Sequence, residues 1–141
     1  MQKLPLEGTR VVELGSSLAG PFAALILSQL GAEVFKVESP DGDAMRRWGA
    51  AEVGGTSAAF ETFNRGKRSL AVDFNDPSAV AGLRHFIAAG THAVLQNLRP
   101  GAVDRFGLGA ERLRRGTARA GQALSSHQRR LPQSRRHPGT Q

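Results

Sequence analysis

The stretch RVVELGSSLAGPFAALILSQLGAEVFKVE, residues 10–38, decides the fold. Its first part, Arg10–Leu14, is short and rich in β-branched residues and runs into glycine and serine, which predicts a strand followed by a loop. Gly20-Pro21 then places proline at the first position of a helix that continues through a long apolar segment. Val34–Glu38 predicts a second strand. Two strands joined by a single helix should lie parallel in one sheet.

The same alternation continues downstream, after a long excursion over residues 39–68 with a short helix predicted at Ala58–Phe63. The further predicted elements are a strand at Ser69–Phe74, a helix from Asp76-Pro77 to Gly90, a strand at Ala93–Leu98 and a short helix ending near Phe106. Four strands alternating with helices predict an α/β fold, a Rossmann-like parallel sheet with flanking helices.

Composition excludes several classes of protein. Hydrophobic residues make up 40% of the 141 positions and charged residues 22%, as in globular proteins. The longest apolar run, Phe22–Leu27, is far shorter than a membrane span, and the first residues do not have the pattern of a signal peptide. Without cysteine there is no disulfide scaffold, thiol nucleophile or zinc–thiolate site, and a reducing compartment is compatible with the sequence.

The net charge of +7 is unevenly distributed. Residues 1–113 contain 12 basic and 12 acidic side chains, whereas residues 114–141 contain seven arginines and no acid. The latter segment also lacks aromatic residues, valine and isoleucine. The sequence therefore predicts two parts, a neutral globular body at 1–113 and a basic tail at 114–141 that is disordered.

Three strings within the body carry a family resemblance: LEGTRVVELGSSLAGPFAALILSQLGAEVFKVESPDGDAMR, NRGKRSLAVDF and QNLRPGAVDRFGLGAERL. In order and spacing they resemble the amino-terminal part of the family III CoA-transferases, from about Leu4 to Leu113. That family includes formyl-CoA transferase, the carnitine CoA-transferase group and alpha-methylacyl-CoA racemase. The resemblance implies an incomplete large domain of this family, with coenzyme A as the bound cofactor-like substrate.

The basic tail begins where this resemblance ends. GC-rich coding DNA read out of frame yields Arg, Ala, Gly, Pro, Ser, Gln and His, which are the residues that dominate the tail. We therefore expect the segment from about Arg114 to be out of frame and without function. Translating the other two frames from the codon of Leu113 tests this expectation.

The loop Ser16–Gly20 is the best candidate for a ligand site from the residues alone. It follows a strand and opens a helix, and such edges of parallel sheets form crevices where free N–H groups face an anion. A tight strand-to-helix connection with no ligand is the alternative. The resemblance implies coenzyme A contacts at ten positions: Ser17, Leu18, Ala19, Ser39, Val72, Asn75, Asn97, Leu98, Arg99 and Arg105. Ser39 and Asn75 stand where family members often carry arginine and lysine, which implies weaker contacts there.

The other charged residues and the tryptophan also have structural or solvated interpretations. The turn Asn64–Arg68 carries three cations, which suit either the phosphates of coenzyme A or a solvated turn. Asp41 and Asp43 are expected in a solvated turn rather than as paired carboxylates. Trp48 is expected to pack within the excursion rather than to stack on adenine.

The histidines, His85 on a predicted helix and His92 before a strand, are expected to be structural or solvated. Neither lies in a recognisable acid–base arrangement. The spacing of histidines and carboxylates does not match a metal site, so no metal is expected.

The resemblance also implies the chemistry. Family members transfer coenzyme A between carboxylic acids: an aspartate attacks the thioester, and an aspartyl thioester relays the coenzyme. An acyl-CoA racemase-type reaction, or nucleic-acid binding through the basic tail, is the alternative. The nucleophile lies downstream of the matched segment in the family, so we expect this chain alone to be inactive. We further expect acyl-CoA and a carboxylic acid as partners, a homodimer, a cytoplasmic location, and neither specific nucleic acid nor membrane binding.

Overall fold

A computed structural model describes residues 3–49, 52–116 and 122–125. Its helices are α1 (Ala19–Gln29), α2 (Ala58–Asn64), α3 (Pro77–Ala88), α4 (Ala102–Arg105) and α5 (Ala110–Gly116), with a 3₁₀ turn at Ala44–Arg47. Its strands are β1 (Arg10–Glu13), β2 (Glu33–Glu38), β3 (Glu52–Val53), β4 (Thr56–Ser57), β5 (Arg68–Ala71), β6 (Ala93–Gln96) and β7 (Gln122–Ser125).

The main sheet has the strand order β5-β2-β1-β6-β7, and all its pairs are parallel. The short strands β3 and β4 form a separate antiparallel pair within the excursion. From β1 the chain leaves to β2 on one side, and β6 returns on the other side of β1. The predicted parallel α/β sheet is confirmed, and β1 is the strand about which the direction of winding changes.

Helices cover both faces of the sheet. Successive side chains of a strand point to opposite faces, so neighbouring residues of β1 pack against different helices. Val11 of β1 packs with Ala24 of α1 in one core cluster. Its neighbour Val12 packs with Leu83 and Ile87 of α3 in the other. Burial on both faces explains why the apolar residues of β1 and β2 are adjacent, as in Val11-Val12 and Val34-Phe35, rather than alternating with polar ones.

Most predicted elements are present, with shifted ends. Helix α1 begins at Ala19 rather than at Pro21, and its N-cap residue, Leu18, provides no side-chain acceptor for the first N–H groups. The predicted cap of α3 is confirmed, since the carboxylate of Asp76 accepts a hydrogen bond from the N–H of Ser78.

The predicted boundary at Leu113 falls inside α5, whose Leu113 is buried in the core beside α3. Helix α5 continues to Gly116, three residues past this boundary, and disorder of the tail stays a prediction. Gln122–Ser125 forms β7 along the free edge of β6, where unpaired backbone groups accept another strand. The rest of the tail, 117–121 and 126–141, lies outside the described residues.

Helix α1 is buried on one face only, although its sequence is apolar nearly all round. Its other face exposes large side chains at four-residue spacing, with Leu18, Phe22, Ile26 and Leu30 all between 40% and 51% exposed. Residues four apart lie on the same side of a helix, so these four side chains form a continuous apolar stripe. Among the helices described, none has the length and apolarity required to cross a membrane.

Candidate functional site

A cleft opens at the carboxyl end of the parallel sheet, at the point where the strand order reverses. Its walls come from the segments that follow β1, β2, β5 and β6 and from the excursion. The lining residues are Leu14, Gly15, Ser16, Ser17, Val37, Glu38, Ser39, Gly42, Asp43, Ala44, Trp48, Phe74 and Leu98. The cavity measures about 250 Å³. This is the edge where ligands bind in open α/β sheets.

The loop after β1 is fixed by a side chain from the segment after β6. The Oδ1 atom of Asn97 accepts a hydrogen bond from the N–H of Ser16 at 3.0 Å, and its Nδ2 atom donates to the Ser16 carbonyl at 2.9 Å. Ser17 then adopts a left-handed backbone with φ of 58°, alone among the non-glycine residues that the structure describes. Backbone strain of this kind persists where the surroundings enforce it.

The start of α1 lies two residues after Ser17, which lines the cleft. The first N–H groups of any α-helix lack intrahelical acceptors, and no side chain caps α1. The aligned peptide dipoles also place partial positive charge at this end. Together with Ser17 on the cleft wall, the start of α1 offers a favourable environment for an anion.

Glu38, the last residue of β2, organises the opposite wall. Its carboxylate receives two hydrogen bonds from Arg46 at 2.7 and 2.8 Å, one from the N–H of Asp43 at 2.9 Å and one from the Ser69 hydroxyl at 2.8 Å. Burial alone would raise the pKa of Glu38, but these bonds outweigh it and bring the pKa down to about 2. Arg46 also stacks on the Phe60 ring, 3.9 Å from its centroid.

Beneath the cleft lies a buried network of two carboxylates and two ammonium groups. Lys36 Nζ lies 3.4 Å from Glu13 Oε1 and 2.9 Å from Asp43 Oδ2, and Lys67 Nζ lies 2.8 Å from Glu13 Oε2. All four side chains are at most 6% exposed. The network is neutral as a whole, which permits its burial, since buried charges require partners.

The two lysines of this network also hold the loops around the cleft. Lys36 donates to the Gly15 carbonyl at 3.0 Å, and Lys67 donates to the Pro21 carbonyl at 2.8 Å and to Asn64 Oδ1 at 3.0 Å. Burial lowers the pKa of Lys67, and the charge of Glu13 and its hydrogen bond to Lys67 oppose that shift. The network thus ties the loop after β1, the first turn of α1 and the turn after α2 to one another.

The structure brings together three of the ten predicted contact residues, Ser17, Ser39 and Leu98, on the wall of the cleft. Leu18 and Ala19 are exposed at the start of α1.

The other five predicted contacts lie off the wall. Val72 is buried, its N–H donating to the Glu38 carbonyl. Asn97 holds Ser16, as described above. Asn75, Arg99 and Arg105 are exposed. Coenzyme A contact at all ten positions stays a prediction.

Several other expectations need correction. Asp43 is not in a solvated turn: it pairs with Lys36 and caps the 3₁₀ turn by accepting from the Met45 N–H at 2.9 Å. Trp48 lines the cleft at 41% exposure instead of packing inside the excursion. In the turn after α2, Lys67 points inward, and Arg68 pairs with Glu33 at 2.7 Å. Of the three cations there, Arg65 alone has no ion-pair partner among the described residues.

Sequence reasoning missed Glu13, Lys36 and Glu38, the buried charged residues of the two central strands. A signal was present, since parallel strands covered on both faces rarely contain charged side chains. A glutamate and a lysine in such strands indicate buried partners. His92, expected to be structural or solvated, accepts a hydrogen bond from the Arg10 N–H at its Nδ1 atom.

Comparison with known proteins gives a consistent result. The sequence pattern of CoA-transferase family III matches residues 6–119, further than the predicted end of the resemblance at Leu113. The chain is 41% identical over 110 residues to succinyl-CoA–D-citramalate CoA-transferase of Chloroflexus aurantiacus, covering 77% of this chain and 27% of that protein. It is 44% identical over 108 residues to human succinyl-CoA:glutarate CoA-transferase, covering 76% of this chain and 24% of the relative.

A solved structure supports the same assignment. The fold superimposes on a CAIB/BAIF family protein from Brucella suis with a TM-score of 0.76 and 41% sequence identity, covering 82% of this chain and 32% of that one. The chain belongs to CoA-transferase family III. It spans about a quarter of the length of the curated relatives it matches.

Proposed function

We propose that the cleft binds the coenzyme A portion of an acyl-CoA in the transfer of coenzyme A between carboxylic acids. The observation that carries the proposal is the position of the cleft at the β1/β6 reversal, beside the uncapped start of α1, in a member of this family. The relatives described above are named as transferases between succinyl-CoA and a second acid, which favours transfer over racemisation.

The cleft is suited to part of an acyl-CoA rather than to the whole. At about 250 Å³ it lies just below the roughly 300–1,000 Å³ of complete small-molecule sites. Within the proposal, Ser17, Ser39 and Leu98 contact the ligand directly. Arg99 and Arg105 follow β6 at the same edge of the sheet and are exposed, so their guanidinium groups are available to coenzyme phosphates.

Catalysis requires a carboxylate free to attack the thioester carbonyl, and the described cleft wall does not offer one. It carries two carboxylates, and both are occupied: Glu38 by Arg46, and Asp43 by Lys36. A carboxylate that is paired and hydrogen-bonded is a poor nucleophile. The proposal therefore assigns the attacking aspartate to residues outside this wall and predicts binding without transfer by the chain alone.

Filling the cleft tests the proposal. Ala44 is exposed and lines the cavity, so Ala44→Trp should obstruct coenzyme A and weaken its binding at least about tenfold. Ala81→Trp, at an exposed position of α3, is the matched control. Calorimetric titration with coenzyme A and with succinyl-CoA gives the comparison. Equal affinities in both variants, or no binding by the parent chain, would contradict the proposal.

A homodimer and a cytoplasmic location belong to the same proposal. The apolar stripe of α1 supports self-association, because contiguous exposed apolar surface commonly marks an interface. Sedimentation of the parent chain should show a concentration-dependent dimer that Ile26→Glu abolishes. Gln29→Glu, at an exposed position of the same helix, is the control for added charge.

Cell fractionation tests the proposed cytoplasmic location.

A further inference from the structure

We infer that Asn97 is a positioning residue of the cleft: its carboxamide holds Ser16 and thereby keeps Ser17 in the left-handed conformation at the start of α1. The consequence for ligand binding rests on the proposed function. The structural part does not, so the two can be tested separately.

The hydrogen bonds of Asn97 argue against a direct role in ligand contact. Its Oδ1 atom accepts from the N–H of Ser16 at 3.0 Å, and its Nδ2 atom donates to the carbonyl of the same residue at 2.9 Å. One side chain therefore satisfies both backbone groups of Ser16. Among the described residues that line the cavity, Leu98 is present and Asn97 is not.

The backbone of Ser17 explains why such a clamp is needed. A residue other than glycine adopts positive φ at a free-energy cost, because its Cβ approaches the following carbonyl oxygen. Ser17 nevertheless has a φ of 58°. Fixing the residue immediately before it restricts the alternative conformations of the loop. The left-handed turn sets where the Ser17 side chain and the first N–H groups of α1 lie relative to the cleft.

Two glycines leave room for the Asn97 carboxamide. A Cβ atom at Gly20 would lie 2.7 Å from Asn97 Oδ1, and one at Gly15 would lie 3.0 Å from the same atom. Either methyl group would displace the carboxamide or the backbone around it. Asn97 therefore packs directly against Gly15 and Gly20, although it is far from both glycines in sequence.

The test combines Asn97→Ala with Ser17→Gly in the full 141-residue chain. We expect Asn97→Ala to accelerate hydrogen exchange of the Ser16 amide, to shift the φ-sensitive NMR coupling of Ser17, and to weaken coenzyme A binding about tenfold, because both hydrogen bonds to Ser16 are lost. In a Ser17→Gly background, where the Ser17 side chain is already absent, Asn97→Ala should weaken binding little, since glycine adopts positive φ without the Cβ penalty. Gln29→Ala, which removes an exposed amide at the far end of α1, should change none of these quantities.

Each alternative result has a distinct meaning. If Asn97→Ala weakens binding as much in the Ser17→Gly background as in the parent chain, Asn97 itself contacts the ligand and the inference is wrong. If the parent chain binds no coenzyme A, the proposed function fails, but the Ser16 exchange rate and the Ser17 coupling still decide the inference: unchanged values in Asn97→Ala overturn it. Should Asn97→Ala not fold, Asn97→Asp keeps the size and the Oδ1 acceptor while losing the Nδ2 donor, and an unchanged Ser17 coupling in that variant overturns the inference.

Discussion

The two ends of the parallel sheet carry the same kinds of charged residue in opposite environments. At the amino end, the register partners Arg10 and Glu33 form an ion pair, and Arg68 of β5 joins them, with side chains 34% to 67% exposed. At the carboxyl end, the register partners Glu13 and Lys36 belong to a network with side chains 6% exposed or less.

This difference distinguishes the amino end of the sheet, which has a structural role, from the carboxyl end, which forms the cleft. Exposed ion pairs contribute roughly 0–1 kcal/mol and are screened by salt. The guanidinium of Arg10 lies 5.5 and 5.4 Å from the ring centroids of Phe35 and Phe86, so its stem and head cover apolar surface. Breaking a buried ion pair costs more free energy, because removing one partner leaves the other desolvated and unpaired. The carboxyl end is therefore held in one arrangement, as a binding cleft requires.

The largest effect is expected from Lys36→Met, which breaks the buried network at its centre. The substitution removes the ammonium group that pairs with both Glu13 and Asp43. We therefore expect a loss of about 3–5 kcal/mol in the free energy of unfolding. Urea unfolding measures it. Lys3→Met, at an exposed position, is the control and should change stability by less than about 0.5 kcal/mol. A loss below about 1 kcal/mol for Lys36→Met would remove the distinction between the two ends.

An intermediate effect is expected from protonating Glu38. Its pKa in the folded chain is about 2, below the ordinary value of 4.5, so the unfolded chain binds the proton first as the pH falls. The stabilisation, about 3 kcal/mol, is complete above pH 4.5 and is lost between about pH 4.5 and pH 2. Urea unfolding of parent and Glu38→Gln across this range should give a stability gap that closes toward low pH. A gap independent of pH would contradict the assignment.

The smallest effect is expected at the amino end, from Glu33→Gln. This substitution weakens the pairs with both Arg10 and Arg68, yet we expect a loss of less than about 1 kcal/mol, because water reaches all three side chains, which are 34% to 67% exposed. Adding salt should reduce the difference between variant and parent, since exposed charges are screened. A salt-independent loss comparable to that of Lys36→Met would mean that the amino end is as constrained as the carboxyl end.

The sequence predicted the fold well because its signals were local. Residues 10–38 carry a strand, a helix opening and a second strand within one short segment, and the cap at Asp76 acts within two residues. The buried network was not predictable in this way. Within it, Lys67 donates to Glu13, which is 54 positions away in sequence. The hydrogen bond from Ser16 to Asn97 likewise joins residues 81 positions apart. A lysine in a glycine-containing turn has the local pattern of a solvated cation, and only the packing of the strands shows that it points inward.

The cleft itself was predicted in part. The loop after β1 was placed correctly, because carboxyl ends of parallel strands meet at one edge whatever the side chains are. The roles of Asp43 and Trp48 were not, since they depend on how the excursion folds back on β2. That fold is organised by Glu38, whose partners Asp43, Arg46 and Ser69 come from two separate segments.

The most direct test of the central claim, that the carboxyl end is the ligand-binding end, is an NMR titration of the isotopically labelled chain with coenzyme A. The claim predicts amide shift changes at Ser16–Ala19, Ser39 and Leu98, with Arg10, Glu33 and Arg68 at the opposite end unchanged. Shift changes concentrated at Arg10, Glu33 and Arg68, or none at any residue at millimolar ligand, would contradict it.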